Sequence, residues 1–505
     1  MNFVDYLFMH SKNSNEYAVA GNSESISHKD LYHLVNRIAY WLHDSVGQNK
    51  KIILISDNSI FFIASYLGII KSGNVCVPLN PSTSADSLRH IVGKCNAKIG
   101  FIQKKSIEKF AGTLIHIFDE SILDILHASP ELQSRQDFDS NRLAEILFTS
   151  GSTALPKGVM LSHRNLMANT ASIIQYLELN SKDRVEVVLP FYYCYGLSLL
   201  HTHIKVGGSI VLNNTFIMLN TVIDDMLRYE CTGFAGVPSH FQILLRKSRR
   251  FKRTKFPHLR YVTQAGGKLP NIFIREFVES FPKVKFFVMY GQTEATARLS
   301  YLPPELVLKK LGSIGKGIPG VKLEVVDECD SPIRPGEIGE IVASGENVMM
   351  GYFKESELTR QTIKNGKLYT GDIATIDEDG YIYILAREKE FLKVGGERIS
   401  PKEIEEVIVR LPEIVDCSII SVQDEILGEA IKAFVVLKDG VTLTEDDIRK
   451  HCNRYLSSNK IPKFIEFLDE IPVAETGKKI KEELLHLGVS AADEISVKNA
   501  RNKDQ

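Results

Sequence analysis

Apolar and polar positions along the chain follow two rhythms. Between Ser27 and Leu42 the apolar residues Leu31, Leu34, Val35, Ile38 and Leu42 fall on one face at helical spacing, which predicts an amphipathic helix. Ser27-His28-Lys29-Asp30 has the form of a capping box and sets its start. Lys51-Ile52-Ile53-Leu54-Ile55-Ser56 is a continuous apolar run of strand length, the run from Ile60 predicts a buried helix, and Asn74 to Val77 predicts the next strand. Such β-α-β alternation predicts an α/β fold of sheets covered by helices.

The pattern changes near Arg387-Glu388-Lys389-Glu390. Tyr381-Ile382-Tyr383-Ile384-Leu385 before it is strand-like. After it, Ser400 as N-cap, Pro401 at the first helical position and Glu403 at the third predict a helix start. Ile404, Val407, Ile408 and Leu411 then repeat at i, i+3, i+4 and i+7. Strands over Cys417–Val422 and Ala430–Leu437 and a helix from Thr444 to Leu456 follow. About a hundred residues of this kind form a small α+β domain. The expected organisation is an N-terminal domain over 1–386, a hinge at 387–390, a C-terminal domain over 391–490 and a frayed charged tail over 491–505. The basic stretch Phe251 to Lys255 is expected to be a solvated loop.

Composition narrows the classes. At 505 residues the chain exceeds what one core serves. Hydrophobic residues make up 44% and charged residues 24%, and the formal net charge of -1 offers no field for nucleic acid or an anionic membrane. Seven scattered cysteines with no CxxC pair point to a reducing compartment and away from zinc. His201 and His203 flank Thr202, and could ligate a metal from a strand, but no third ligand is evident. The first residues carry no basic-then-apolar signal pattern. The longest apolar run, Ile60 to Ile70, falls short of the ~20 residues that cross a bilayer. A cytoplasmic protein without membrane insertion is expected.

The densest chemistry lies in Thr149-Ser150-Gly151-Ser152-Thr153-Ala154-Leu155-Pro156-Lys157-Gly158, between the apolar run Ile146-Leu147-Phe148 and the strand-like Val159-Met160-Leu161-Ser162. Small hydroxylated residues turn backbone N–H groups inward around a polyphosphate, and a lysine adds a mobile positive charge. A hairpin loop with a solvated lysine is the alternative. It is not a Walker A loop, because each Gly-Lys pair (Gly93, Gly267, Gly315, Gly366, Gly477) lacks a glycine five residues earlier.

This segment resembles the phosphate-binding signature of the adenylate-forming superfamily, which includes acyl-CoA synthetases, non-ribosomal adenylation domains and beetle luciferases. Further motifs follow in the family's order. Tyr290-Gly291-Gln292-Thr293-Glu294 is similar to its adenine and magnesium motif, Tyr369-Thr370-Gly371-Asp372 to its ribose motif, Arg387 to Arg398 to its hinge, and Glu475-Thr476-Gly477-Lys478 to its C-terminal catalytic loop. Asp57-Asn58-Ser59, Lys71-Ser72-Gly73 and Val77-Pro78-Leu79-Asn80-Pro81 share the family's character. The resemblance runs from about Ser25 to Lys481. It implies an acyl-CoA synthetase-like architecture, with a large N-terminal domain and a small mobile C-terminal one.

The implied chemistry answers a plain need. A carboxylate is a poor electrophile, and attack on the α-phosphate of ATP gives an acyl-adenylate whose AMP leaves readily. Negative charge crowds that transition state, so cations and N–H donors are required. By resemblance, Lys157 and the 149–158 loop hold the β- and γ-phosphates, Thr293 bonds phosphate, and Glu294 binds Mg2+. Gly266, Gly267 and Lys268 lie along adenine and Tyr290 stacks on it. Asp372 accepts the ribose hydroxyls, Arg387 adds a donor beside them, and Lys478 bridges the carboxylate and the α-phosphate. Three positions depart from the family's usual residues: Ala154 and Ala386 stand for glycine, and Lys481 for arginine.

For the acid, Pro190-Phe191-Tyr192-Tyr193-Cys194-Tyr195-Gly196 resembles the substrate motif. Amino-acid-activating relatives place Asp where Cys194 stands, and a buried ammonium without that partner is costly, so an α-amino acid is disfavoured. Tyr193, Cys194, Tyr195, Gly196, Phe234 and Gly236 are the expected acyl-pocket residues, suited to a fatty, hydroxylated or aromatic acid, with Tyr192 expected in the core. The thiol acceptor is expected to be coenzyme A, with a carrier-protein phosphopantetheine as the alternative. After adenylation the resemblance has the C-terminal domain turn about Lys389 and bring Gly395 and Gly396 beside the thiol. A tight turn there is the other reading. A non-catalytic nucleotide-binding module is opposed by Lys478, Glu294 and Asp372 together.

Overall fold

The computed structural model describes residues 1–485, except 22–23, 111, 136, 150–155, 388–390, 395–396, 425–427, 475–478 and 482. The tail over 491–505 and the hinge residues 388–390 therefore lie outside the described residues.

Helix and strand fall where the two rhythms place them. The amphipathic helix spans His28–Ser45, its first turn capped by the Ser27 hydroxyl on the Asp30 N–H, with Leu31, Val35, Ile38 and Leu42 fully buried and Leu34 partly so. Trp41 on this helix packs edge-on against Phe118, ring centres 4.8 Å apart, and more loosely against Phe101. Its neighbour, the helix Ile60–Lys71, is buried from Phe61 onward. Among the described residues no helix is long and apolar enough to cross a membrane.

These helices cover a seven-stranded sheet whose order is 351–352, 157–162, 143–149, 75–79, 51–55, 99–102 and 116–118. Its central strands are parallel, and the strands Leu143–Thr149 and Lys157–Ser162 form an antiparallel hairpin with Thr149 opposite Lys157. A nine-stranded sheet runs in the order 316–317, 300–302, 285–290, 261–264, 233–236, 184–187, 209–212, 17–20 and 26–27. A third, antiparallel sheet holds 321–326, 338–345, 367–376, 363–364 and, beside 367–376, 382–387. Beyond Arg387 a ribbon (392–394 with 397–399) and a three-stranded sheet (414–424, 428–437, 464–467) build the small domain. It seats on the large one through the helix Pro238–Arg246. There Gln242 Nε2 donates to Asp416 at 2.8 Å, and Arg246 Nη1 donates to the carbonyls of Pro412 (3.0 Å) and Ile414 (3.1 Å).

Four local expectations change. The basic stretch is a loop only at 254–255: its first three residues belong to the short helix Arg249–Arg253, because Ser248 caps it and Phe251 is buried among Phe256, Phe277 and Phe281. Its cations pair with Asp224 and Glu276. His201 and His203 lie on the helix Cys194–Val206 rather than a strand, their rings bonded to Tyr66 and to the Leu199 carbonyl. Ser400 precedes the helix Pro401–Ile408 as expected, yet its hydroxyl donates to the Leu385 carbonyl instead of capping. Tyr192 is half-buried, and Phe191 takes the core position beside it.

Candidate active site

The strand Lys285–Tyr290 ends at the edge of the site, and the chain turns through Gly291 into a tight turn at Thr293–Ala295. A β-carbon on Gly291 would stand 2.0 Å from the Ala297 carbonyl oxygen, so this close approach requires glycine. At the head of the turn the Tyr290 hydroxyl donates to Asp372 Oδ2 at 2.6 Å. Arg387 Nε donates to the other oxygen of Asp372 at 3.1 Å. Strand register makes this clasp: Asp372 and Arg387 are directly opposite in the pair 367–376 and 382–387. Burial first, and then the charge of Asp372, hold the Tyr290 hydroxyl well above its ordinary pKa, so it stays a donor. Each carboxylate oxygen keeps a second lone pair, enough to accept a vicinal diol.

Glu294 follows at once. Its Oε1 accepts from the Tyr352 hydroxyl at 2.8 Å, and its carbonyl accepts from the Met349 N–H. Tyr352 stands on the strand Gly351–Tyr352, paired with Val159 on the strand that starts at Lys157. The carboxylate is thereby fixed to the hairpin whose mouth Thr149 and Lys157 frame. The apex of that hairpin, with Ser150, Gly151, Ser152 and Thr153, lies outside the described residues, as do Lys389, Gly395, Gly396 and Lys478. Lys479 beside the last of these is tied to Asp416 at 2.8 Å.

Thr293 reaches the other half of the site, its Oγ1 3.6 Å from Cys194 Sγ at the start of the helix Cys194–Val206. The Tyr193 hydroxyl faces Gly266, 3.9 Å from where a β-carbon on that residue would stand. Gln264 Nε2 donates to the Gly267 carbonyl at 2.7 Å and braces the loop that leaves Gly267 and Lys268 exposed. Gln292, inside the Tyr290–Glu294 motif, is half-buried. The Asp372 clasp, the Glu294 carboxylate and the Cys194 thiol are thus linked through the single segment Tyr290–Glu294.

Matches to known proteins complete the picture. The family model of the AMP-binding enzyme covers residues 9–353, and that of its C-terminal domain covers 403–478. The chain belongs to the AMP-binding enzyme family. A putative acyl-CoA synthetase, YngI of Bacillus subtilis, is 31% identical over 88% of this chain and 89% of its own. A 4-coumarate–CoA ligase-like protein of Arabidopsis thaliana is 29% identical over 91% and 85%. Among solved structures, the anthranilate CoA ligase AuaEII in complex with anthranoyl-AMP superposes with a TM-score of 0.89 at 25% identity, covering 97% of this chain and 98% of its own. ATP-bound MatB from Rhodopseudomonas palustris superposes with a TM-score of 0.86 at 27% identity, over 96% and 98%. This AMP-binding enzyme is an ATP-dependent ligase that activates a carboxylic acid and transfers it to coenzyme A.

On the acyl side of the AMP-binding enzyme, the expected residues separate. Tyr193 is half-buried beside Gly266, and Cys194 is buried against Thr293. Gly196 is there for packing, since a β-carbon would stand 2.1 Å from the Pro190 carbonyl oxygen. Tyr195 is fully buried, and its hydroxyl donates to the Thr263 carbonyl at 2.9 Å. Phe234 is not on an open pocket wall: it is buried in the core, edge-on to Phe241, and Gly236 is crowded by Phe241 and His240. A void of about 10 Å³, room for roughly one water, lies against Cys194, Ser198, Thr296 and Ala297.

Four contributors escape a motif reading. Tyr352 holds Glu294, and Glu340 accepts from the Gly371 N–H at 2.8 Å. Asn347 links to the Ala295 and Arg298 carbonyls, and Thr296 donates to the Asn347 carbonyl, which stabilises the left-handed backbone of Thr296 (φ 67°). The fourth is Arg298. An expected apolar pocket did not include a buried guanidinium, and here one stacks 4.0 Å above the Tyr195 ring.

Proposed function

We propose that this AMP-binding enzyme adenylates a carboxylic acid lacking an α-ammonium group, with the residues above in specific roles. The observation that carries the reading is the clasp of Asp372 between Tyr290 and Arg387, set one turn from Glu294 and Thr293. Asp372 takes the two ribose hydroxyls through its free lone pairs, and Arg387 stabilises its charge. Tyr290 covers the adenine, whose other side lies along Gly266 and Gly267. Lys157, Thr149 and the loop between them hold the outer phosphates. Thr293 donates to phosphate beside the reacting carboxylate.

Glu294 fits a magnesium ion, because that cation takes one or two carboxylates and otherwise phosphate and water oxygens. Bound there, the ion neutralises charge on the outer phosphates. Tyr352 orients the carboxylate that would hold it. Lys478 supplies positive charge at the transition state, and the hinge at 387–390 then carries the 391–490 domain round, bringing Gly395 and Gly396 beside the thiol. Cys194, a thiol in place of a carboxylate, supports the exclusion of α-amino acids. Free thiols at all seven cysteines support a cytoplasmic location.

ATP–pyrophosphate exchange over a panel of carboxylic acids tests the reading, with acyl transfer to coenzyme A measured separately. Exchange with plain or hydroxylated acids and none with α-amino acids of similar size is expected. Faster exchange with an amino acid than with every plain acid would overturn the assignment of Cys194.

A further inference from the structure

Arg298 is 3% exposed, and its surroundings do not balance its charge. Nη1 reaches the Ala297 carbonyl at 3.4 Å and Nη2 the Ser198 hydroxyl at 3.5 Å, both at the limit of a hydrogen bond, and the guanidinium also bonds the neutral Tyr176 hydroxyl, so its partners are all uncharged. Nε is buried with no partner. Among the described residues no carboxylate pairs with it. Glu145, buried in the same region, is committed to the Tyr66 hydroxyl at 2.7 Å. A buried guanidinium in that state is costly unless something of opposite charge meets it.

Its position says what that is. Arg298 lies four residues after Glu294, on the ring of Tyr195 from the substrate motif. Ser198, which its Nη2 approaches, is one turn further along the helix than Cys194, ~6 Å deeper by helical rise. Cys194 in turn touches Thr293, on the phosphate side. The guanidinium is therefore set back from the reacting end, where the far end of a short acid would arrive. The backbone is fixed there, since the Asn169 and Asn347 side chains both donate to the Arg298 carbonyl, at 3.1 and 2.9 Å. Guanidinium geometry suits a planar carboxylate held by two bonds.

We propose that the acid is a short dicarboxylic acid, whose second, unreacted carboxylate pairs with Arg298 while the first is adenylated. This rests on the ligase reading above and narrows its substrate class. The competing account is that Arg298 only packs on Tyr195 as a structural cation–π contact.

The test is the ratio of kcat/KM in pyrophosphate exchange for matched pairs: saturated diacids of three to six carbons and a benzene dicarboxylic acid, each against the monoacid of equal skeleton. In the wild type at least one diacid should exceed its partner tenfold or more. Arg298→Met should reverse that preference while leaving the KM for ATP unchanged, and Arg298→Lys should keep part of it. Monoacids that outrun all diacids in the wild type would overturn the proposal and leave the ligase reading intact, as would an unchanged ratio in a folded Arg298→Met. Exchange with no acid would overturn both. The wild-type ratio decides even when Arg298→Met fails to fold.

Discussion

Two arginines divide the site. Arg387, half-exposed at the end of its strand, meets Asp372 at 3.1 Å and belongs to a clasp already closed by Tyr290. Arg298, buried under Tyr195, meets only uncharged groups among the described residues: a carbonyl and a hydroxyl at the edge of bonding range and the Tyr176 phenol. The nucleotide side carries its own counter-charges and serves a ligand whose structure never varies. The acyl side leaves a charge to be met by the substrate. Charge balance within the protein marks the constant part of the reaction, and imbalance marks the selective part.

Changes on the two sides should therefore differ in kind. Lys478→Ala is expected to have the largest effect, lowering acyl-adenylate formation by ~10² or more for every acid alike, because its charge acts only at the transition state. Thioester formation from pre-made adenylate should be much less affected, and equal loss of both half-reactions would remove Lys478 from this role. Asp372→Ala should come next, with a loss of ~10 to 10² in kcat/KM for ATP that is the same for all acids, the scale of lost bonds to a charged group. A loss that varied from acid to acid would break the division between the sides.

Ser198→Asp sharpens the same comparison. It sets a carboxylate beside Arg298, as Asp372 is set beside Arg387, and should cut diacid use about tenfold with little change in the KM for ATP. Tyr352→Phe should have a smaller effect, raising the Mg2+ concentration needed for half-maximal exchange roughly three- to tenfold, in proportion to one hydrogen bond to a carboxylate. No shift in that requirement would leave Tyr352 a packing residue.

The smallest effect on rate and a clear one on stability belong to Glu145. Burial raises its pKa to about 7, against a downward pull from the Tyr66 hydroxyl. Because the folded value lies above the unfolded one, its contribution is intact below about pH 4.5 and is lost as pH rises towards 7. Glu145→Gln should keep the Tyr66 bond and add up to roughly 3 kcal/mol above pH 7, with little gain at pH 4.5, read from urea unfolding at both pH values. Equal gains at the two would show that ionisation of Glu145 is not the cause.

How much of this was legible in the chain depended on distance along it. The helices His28–Ser45 and Pro401–Ile408 carry their signals within a few residues, as does the clustering of Tyr290 with Glu294. Tyr352 could not be read the same way, because it meets Glu294 from 58 residues away through a strand pair. The sequence around His201 and His203 does not declare a helix, because residues 194–204 are buried on every side and such a run has no polar face to reveal its period. Arg298 stood in plain view after Glu294. A charged residue normally implies solvent, and only the Tyr195 ring from a distant helix makes it a buried one.

Trp41 is the chain's single tryptophan, and it lies against Phe118 and Phe101 at the edge of the seven-stranded sheet. Intrinsic fluorescence excited at the red edge of the indole band will accordingly witness that sheet alone. An emission change on heating would date the loss of the seven-stranded layer, while rotation of the small domain would pass unseen. A second tryptophan in place of exposed Tyr455 would give the small domain an optical voice of its own.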